Sequence, residues 1–514
     1  MNGMATWAWR AVMWAAMWAV AWTMAWAMCG RAAAEVRLPA LFGEHMVLQR
    51  SAATAVFGRA DPGERVTVEL RVPDPSPGGG LFTSTAETTA GADGRWRVSL
   101  DLRDTPAAPG ELVVVGSNRI ELRDVLVGEV WLCGGQSNME WPLRLTENAE
   151  AAVAEANVPL LRLFTVGKRV AAEPVDTMEL TGRWVVCTPE TAAHFSAVGY
   201  YFGRELLRTR RTPVGLISSN WGGTPAESWT SEATLHGGGE LYAEILRRRD
   251  NARARDARVL ATQPTIAPWY NQHAAATLYN GMIHPLFPTT LAGVIWYQGE
   301  SNAGRAWQYR TLLADLIRDW RRGFEAELPF LIVQLANFRQ VPEKPGEDAW
   351  AELREAQAVV ARTVPRCGLA VAMDIGEAED IHPRNKKDVG LRLALLARRV
   401  AYGEDVVASG PVFRGMEVRG SEAVLSFDFA DGGLEVRGET LGGFAVKGGD
   451  GVWRWASARV EGEQVVVSHP EVDRPVAVRY AWAINAPTPL YNRWGLPAVP
   501  FRTDDDPPAT LNNR

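Results

Sequence analysis

Four short segments carry residue types that together can perform acyl transfer. Gly134-Gly135-Gln136-Ser137-Asn138-Met139 puts a serine on a glycine-rich turn, where its hydroxyl is open to a carbonyl carbon. Glu379-Asp380-Ile381-His382-Pro383 holds a histidine able to take the serine proton, beside two carboxylates either of which could orient the ring. Asn220-Trp221-Gly222-Gly223-Thr224 and Trp296-Tyr297-Gln298-Gly299-Glu300-Ser301-Asn302 supply what the tetrahedral intermediate needs. The candidate oxyanion donors are the backbone N–H groups of Ser137 and Gly223 and the side-chain amide of Gln298. Glycine at 222 and 223 lets backbone approach a substrate closely. Trp221, Trp229 and Trp296 are candidate flat walls for a sugar ring, and Glu300 and Asn302 are candidate polar contacts to it. Taken singly, each has a plainer reading. A Gly-Gly-x-Ser is usually a turn, a lone histidine is usually structural, and tryptophans are usually core.

The elements around these segments explain why they should meet. From Leu38 to Arg123 short alternating runs (Val66, Val68, Leu70; Trp96, Val98, Leu100) follow turns at Asp61-Pro62-Gly63 and Asp93-Gly94, the pattern of a β-sandwich. From Val125 the texture changes to apolar strands alternating with helices. Strands are expected at Val125–Cys133, Val214–Ser218, Leu291–Tyr297, Pro329–Leu335 and Leu369–Met373. Helices are expected at Glu147–Ala156, Tyr200–Arg210, Tyr309–Phe324, Trp350–Arg362 and Lys387–Val400. Such alternation predicts an α/β domain with a parallel sheet covered on both sides. Three of the four segments then sit at or just past the carboxyl end of a strand and the fourth between the fifth strand and the last helix, where ligands bind in an open sheet. From about Gly410 to Phe501 alternating strands return, predicting a second β-sandwich. The expected division is 1–34, 35–123, 124–403 and 404–514.

Composition narrows the classes. With 514 residues the chain needs more than one core. At 47% hydrophobic and 22% charged it is an ordinary globular chain. A net charge of −6 gives no electrostatic reason to bind nucleic acid or an anionic membrane. Ala11 to Met28 is uncharged and apolar, and Ala32 and Ala34 form an A-x-A pattern, so 1–34 reads as a signal peptide cleaved near Ala34. A secreted or periplasmic protein follows, with no membrane attachment after cleavage; an uncleaved anchor is the alternative reading of the run. Cys133, Cys187 and Cys367 remain in the mature chain, in apolar contexts that predict buried free thiols. No spacing suggests a metal site.

Gly135-Gln136-Ser137-Asn138-Met139, Trp296 to Asn302 and Asp380-Ile381-His382-Pro383 resemble the blocks of the sialate O-acetylesterase family, within the SGNH hydrolase superfamily. Leu41 to Arg50 and Pro500 to Asp504 extend the resemblance over nearly the whole mature chain. It implies an SGNH-type three-layer α/β/α core flanked by two β-sandwiches, and hydrolysis of O-acetyl esters on a glycan without metal or organic cofactor. The acetylated sugar is a sialic acid or a plant polysaccharide such as xylan. Many SGNH esterases place the orienting acid three residues before the histidine. Here that residue is Glu379, with Asp380 two before. The Gly-x-Ser-x-Gly elbow of α/β-hydrolases is absent at Ser137. A non-catalytic glycan-binding protein and a peptidase or lipase are the rival functions.

Overall fold

The computed structural model describes residues 35–514 apart from 264 and 266. The expected signal segment and Cys29 lie outside the described residues. Period-two alternation builds the N-terminal part. It comprises β1 (Val47–Gln49), β2 (Thr54–Arg59), β3 (Arg65–Pro73), β4 (Leu81–Thr89), β5 (Arg95–Leu100), β6 (Gly110–Val115) and the start of β7 (Arg119–Gly135). In β3, Val66, Val68, Leu70 and Val72 are buried while the residues between them are not. β3 pairs with β4 and β6, and β6 with β7, all antiparallel. β2 and β5 form a second antiparallel ribbon that shares the core. The boundary expected at 123/124 falls inside β7. Arg119 to Val125 pairs with β6, and the same strand runs on to pair with β1 and then with the central sheet.

That sheet adds β8 (Val158–Thr165), β9 (Trp184–Cys187), β10 (Val214–Asn220), β11 (Gly293–Tyr297), β12 (Phe330–Val333) and β13 (Cys367–Ala370). The order is β13-β12-β11-β7-β10-β8-β9, parallel except for β9 at the edge. The chain leaves β7 toward β8 and β9, returns through β10, then crosses to β11 on the other side. The loops after β7, β10 and β11 therefore diverge at one point, which opens a crevice there.

Strand parity divides the core in two. Val130, Leu132, Val294, Trp296, Phe330 and Ile332 face one layer, made by Ala306–Gly323 and Ala349–Thr363. Trp131, Cys133, Ile295, Tyr297, Leu331 and Val333 face the other, made by Ala197–Arg210 and Lys387–Val400. Cys133 and Cys187 are buried and Cys367 half-buried; all three are free thiols. Burial raises each of them, Cys187 to about 12 and Cys367 to about 11.

The C-terminal part consists of β14 (Val412–Arg419), β15 (Glu422–Asp428), β16 (Leu434–Val436), β17 (Phe444–Lys447), β18 (Trp453–Trp455), β19 (Ser457–Glu461), β20 (Gln464–Ser468), β21 (Ala477–Tyr480), β22 (Leu490–Asn492) and β23 (Phe501–Arg502). Two four-stranded antiparallel sheets, β14-β15-β20-β19 and β18-β17-β21-β23, enclose a third core. Arg354, fully buried, ties this part to the α/β domain. Its guanidinium donates to Leu335 O and Ala336 O on one side and to Ala483 O and Ile484 O on the other, and burial pulls it down to about 9. Among the described residues no helix is long and apolar enough to cross a membrane.

Candidate active site

β7 delivers Ser137. Gly135 ends the strand with φ +138°, and a Cβ there would lie 2.1 Å from Tyr297 O, so only glycine fits. The turn is stitched to both neighbours: Gln136 N–H donates to Tyr297 O at 3.0 Å and Trp221 N–H to Gly135 O at 3.1 Å. Ser137 then opens a single helical turn, Ser137–Glu140, and is half-buried. Among the described residues its Oγ makes no hydrogen bond.

The loop after β13 brings His382 to the same place. Asn138 Nδ2 donates to Ile381 O at 3.0 Å, and the Trp141 ring lies parallel to the His382 imidazole with centroids 5.0 Å apart. Asp380 Oδ1 accepts the backbone N–H of His382 at 2.8 Å and lies 3.4 Å from its Nδ1. Glu379 is exposed and accepts from Gln340 Nε2 at 2.6 Å. The imidazole is held below the ordinary histidine value. Burial is the main cause and the Lys386 cation adds to it, while the Asp380 charge opposes both.

β10 supplies the third wall. A Cβ on Gly222 would lie 3.4 Å from Ser137 Cβ, which places this backbone directly beside the serine. Glu140 Oε2 accepts Gly222 N–H at 2.7 Å, and its other oxygen pairs with Lys168, whose ammonium lies 5.1 Å from the Trp221 ring centroid. Gly223 is exposed, at φ +73°. Among the described residues the N–H groups of Ser137 and Gly223 donate to no protein acceptor. No group of three or more His, Cys, Asp or Glu among them is placed to hold a metal ion.

A family model described as "Carbohydrate esterase, sialic acid-specific acetylesterase" matches residues 127–262 and 261–398, the segment that builds this crevice. The chain belongs to this family. It is therefore a carbohydrate esterase, a carboxylic-ester hydrolase. The sialate O-acetylesterase of Homo sapiens is 31% identical over 510 residues, covering 90% of this chain and 92% of that one. The sialate O-acetylesterase of Mus musculus is 31% identical over 493 residues, covering 87% and 89%. Among solved structures, a carbohydrate acetylesterase from Xanthomonas citri aligns with a TM-score of 0.77 at 40% identity, covering 91% of this chain and 100% of that one.

Within the esterase several expected substrate contacts sit elsewhere. Trp296 and Trp229 are fully buried, so neither offers a face to a sugar. Strand parity sends Trp296 into the layer below the sheet, edge-on to Trp320 at 5.4 Å and to Trp229 at 6.2 Å. Trp221 alone of the three is half-buried at the crevice. Gln298 is also fully buried, and its amide hydrogens go to Asn302 Oδ1 at 2.7 Å and Thr224 O at 3.3 Å. That orientation is fixed by its partners, because Asn302 Oδ1 accepts Ala226 N–H while Asn302 Nδ2 donates to Glu227. Gln298 and Asn302 thus hold the loop that carries Gly223 from behind, and the amide of Gln298 does not reach the open face as an oxyanion donor.

Glu300 belongs to a buried polar network, the plainer of its two sequence readings, but its partners Asn138 and Lys386 were missed. Asn138 Nδ2 donates to Glu300 Oε1 at 2.6 Å and Asn138 Oδ1 accepts from Lys386 Nζ at 2.5 Å. Burial raises Glu300 and lowers Lys386 to about 7. Asn138 was within a recognised block, yet only the three-dimensional placement reveals that it joins three loops. Trp141 carried no signal beyond its distance from Ser137.

Proposed function

We propose that this esterase removes acetyl groups from sugar hydroxyls, with Ser137 as nucleophile, His382 as general base and Asp380 as the orienting carboxylate. The observation that carries the reading is the double tie between the serine turn and the histidine loop, Asn138 to Ile381 and Trp141 against His382, beside two N–H groups with no protein acceptor. Ser137 Oγ attacks the acetyl carbonyl as its proton passes to His382. The tetrahedral oxyanion is met by the N–H groups of Ser137 and Gly223. Its collapse breaks the bond to the sugar oxygen, which leaves with the proton from His382. Water, deprotonated by His382, attacks the acetyl-enzyme; acetate leaves and Ser137 regains its proton. None of these steps calls on a metal or an organic cofactor.

The serine–histidine contact needs no short bond in the free enzyme, since such contacts tighten with substrate bound. Asp380 suits its role better than Glu379, which is turned away to Gln340. The names of the human, mouse and Xanthomonas proteins support acetyl as the acyl group. The sugar is a sialic acid or a plant polysaccharide such as xylan. The apolar N-terminal run supports a secreted or periplasmic location. Acetate release from a panel of acetylated sialosides and xylo-oligosaccharides, with Ser137→Ala as control, tests the reading. Release by the control at the wild-type rate would defeat it.

A further inference from the structure

With Trp229 and Trp296 removed from the surface, the sugar needs another partner, and the segment after the Arg-rich helix Ala243–Val259 provides one. His273 is exposed, and its Cε1 lies 3.6 Å from the position a Cβ on Gly223 would take. Chain neighbours of Gly223 aside, no other atom among the described residues comes within 4 Å of that position. No step of hydrolysis as derived above uses it. An exposed histidine on a loose loop would mean little, but this loop is held at several points. Asp256 accepts the N–H groups of Trp269 at 3.0 Å and Tyr270 at 2.7 Å, and the Arg255 guanidinium lies 3.6 Å from the Trp269 ring centroid. Thr277 Oγ1 donates to Asn271 O, and Asn271 Oδ1 accepts His273 N–H at 3.0 Å. Gln272 Nε2 lies 3.2 Å from His273 Nε2. The amide is a donor, so Nε2 is the acceptor and the neutral ring carries its proton on Nδ1. That N–H, one bond from Cε1, has no protein acceptor among the described residues.

We infer that His273 is a specificity-determining residue of the esterase site, donating through Nδ1 to a hydroxyl or ring oxygen of the sugar that bears the acetyl group. The inference rests on the acetylesterase reading above. A preset donor discriminates because a ligand lacking the matching oxygen leaves it unpaired.

The test compares kcat/KM for an acetylated sugar with kcat/KM for p-nitrophenyl acetate, which has no sugar. In His273→Ala the ratio of the two should fall by about five- to tenfold, the worth of one hydrogen bond. His273→Asn, which keeps a side-chain donor, should recover part of it. An unchanged ratio overturns the inference, whether both substrates slow equally, as they would if His273 only supported Gly223, or neither slows. Wild-type enzyme that cleaves p-nitrophenyl acetate but no acetylated sugar defeats the acetylesterase reading itself, and the inference with it. That outcome is read before any variant is made.

Discussion

The two halves of the site are held in different ways. The serine half is fixed by backbone. Ser137 follows a strand paired on both sides, and the turn after it is anchored through Gly135 and Gln136 main-chain bonds to Tyr297 and Trp221. Around His382 itself the histidine half is fixed by side chains, with backbone ties farther out at Ala378 and Arg384. His382 lies in an irregular loop, and what locates it is the Asn138 amide, the Trp141 ring and the Asp380 carboxylate. A backbone-built position tolerates side-chain change around it. A side-chain-built position shifts with each contact removed, and a displacement near 1 Å costs about a hundredfold in rate.

The largest expected effect lies on the backbone-built half. Ser137→Ala should lower kcat by about a millionfold with the melting temperature unchanged, since the turn does not depend on Oγ. A folded variant retaining wild-type turnover would break the comparison at its root. On the other half, Asp380→Asn should cost up to about ten-thousandfold in kcat. Glu379→Gln should leave kcat within about threefold, under about 1 kcal/mol of barrier, because its carboxylate is turned to Gln340 and not to the ring. Finding Glu379→Gln the more severe would move the acid. Asn138→Leu should lower kcat about a hundredfold by freeing the histidine loop, with KM for an acetylated sugar little altered; a pure KM effect would assign Asn138 to the sugar instead.

The smallest effect is a pH shift. His382 must be neutral to accept a proton, and its pKa is lowered, so kcat/KM should rise with pH to a midpoint below about 6.5. Activity is then lost only as pH falls through that lowered value. Trp141→Ala admits water to the ring and weakens the main cause of the lowering, so the midpoint should move up toward the ordinary value. A midpoint that moves down, or stays, would show that Trp141 is not what shields the imidazole.

Much of this architecture was legible from periodicity. The helix at 306–323 announces itself through Leu312, Leu313, Leu316, Ile317 and Trp320, all buried. β10 and β11 read as apolar runs, and the glycine turn after β7 marks the serine. β8 was missed because Pro159 and Arg162 interrupt its run; Arg162 is buried with its guanidinium paired to Asp124 and donating to the Pro159 and His45 carbonyls. The helix Ala243–Val259 was missed because charged residues dominate it and its remaining face carries mostly alanine, too weak an apolar stripe to read. The tryptophan walls failed for a related reason. A strand buried on both faces is apolar at every position, so its sequence hides which residues point up and which point down. Gln298 failed because an amide at a strand end looks the same whether it faces substrate or a neighbouring loop.

β7 has one further consequence. It is 17 residues long, and both the N-terminal sandwich and the serine hang on it. At about 3.3 Å per residue it spans roughly 55 Å. Asp124, at φ +54°, interrupts its extended conformation where pairing passes from β6 to β1, yet no linker separates the two parts. A swap of N-terminal domains at residue 123 would cut through a ladder rather than a linker. A single residue inserted between Val125 and Gly134 would invert every side chain between the insertion and the turn, exchanging Leu132 with Cys133 across the sheet. The sandwich and the serine turn are thus built on one continuous strand, and neither can be replaced without re-forming the ladder that carries the other.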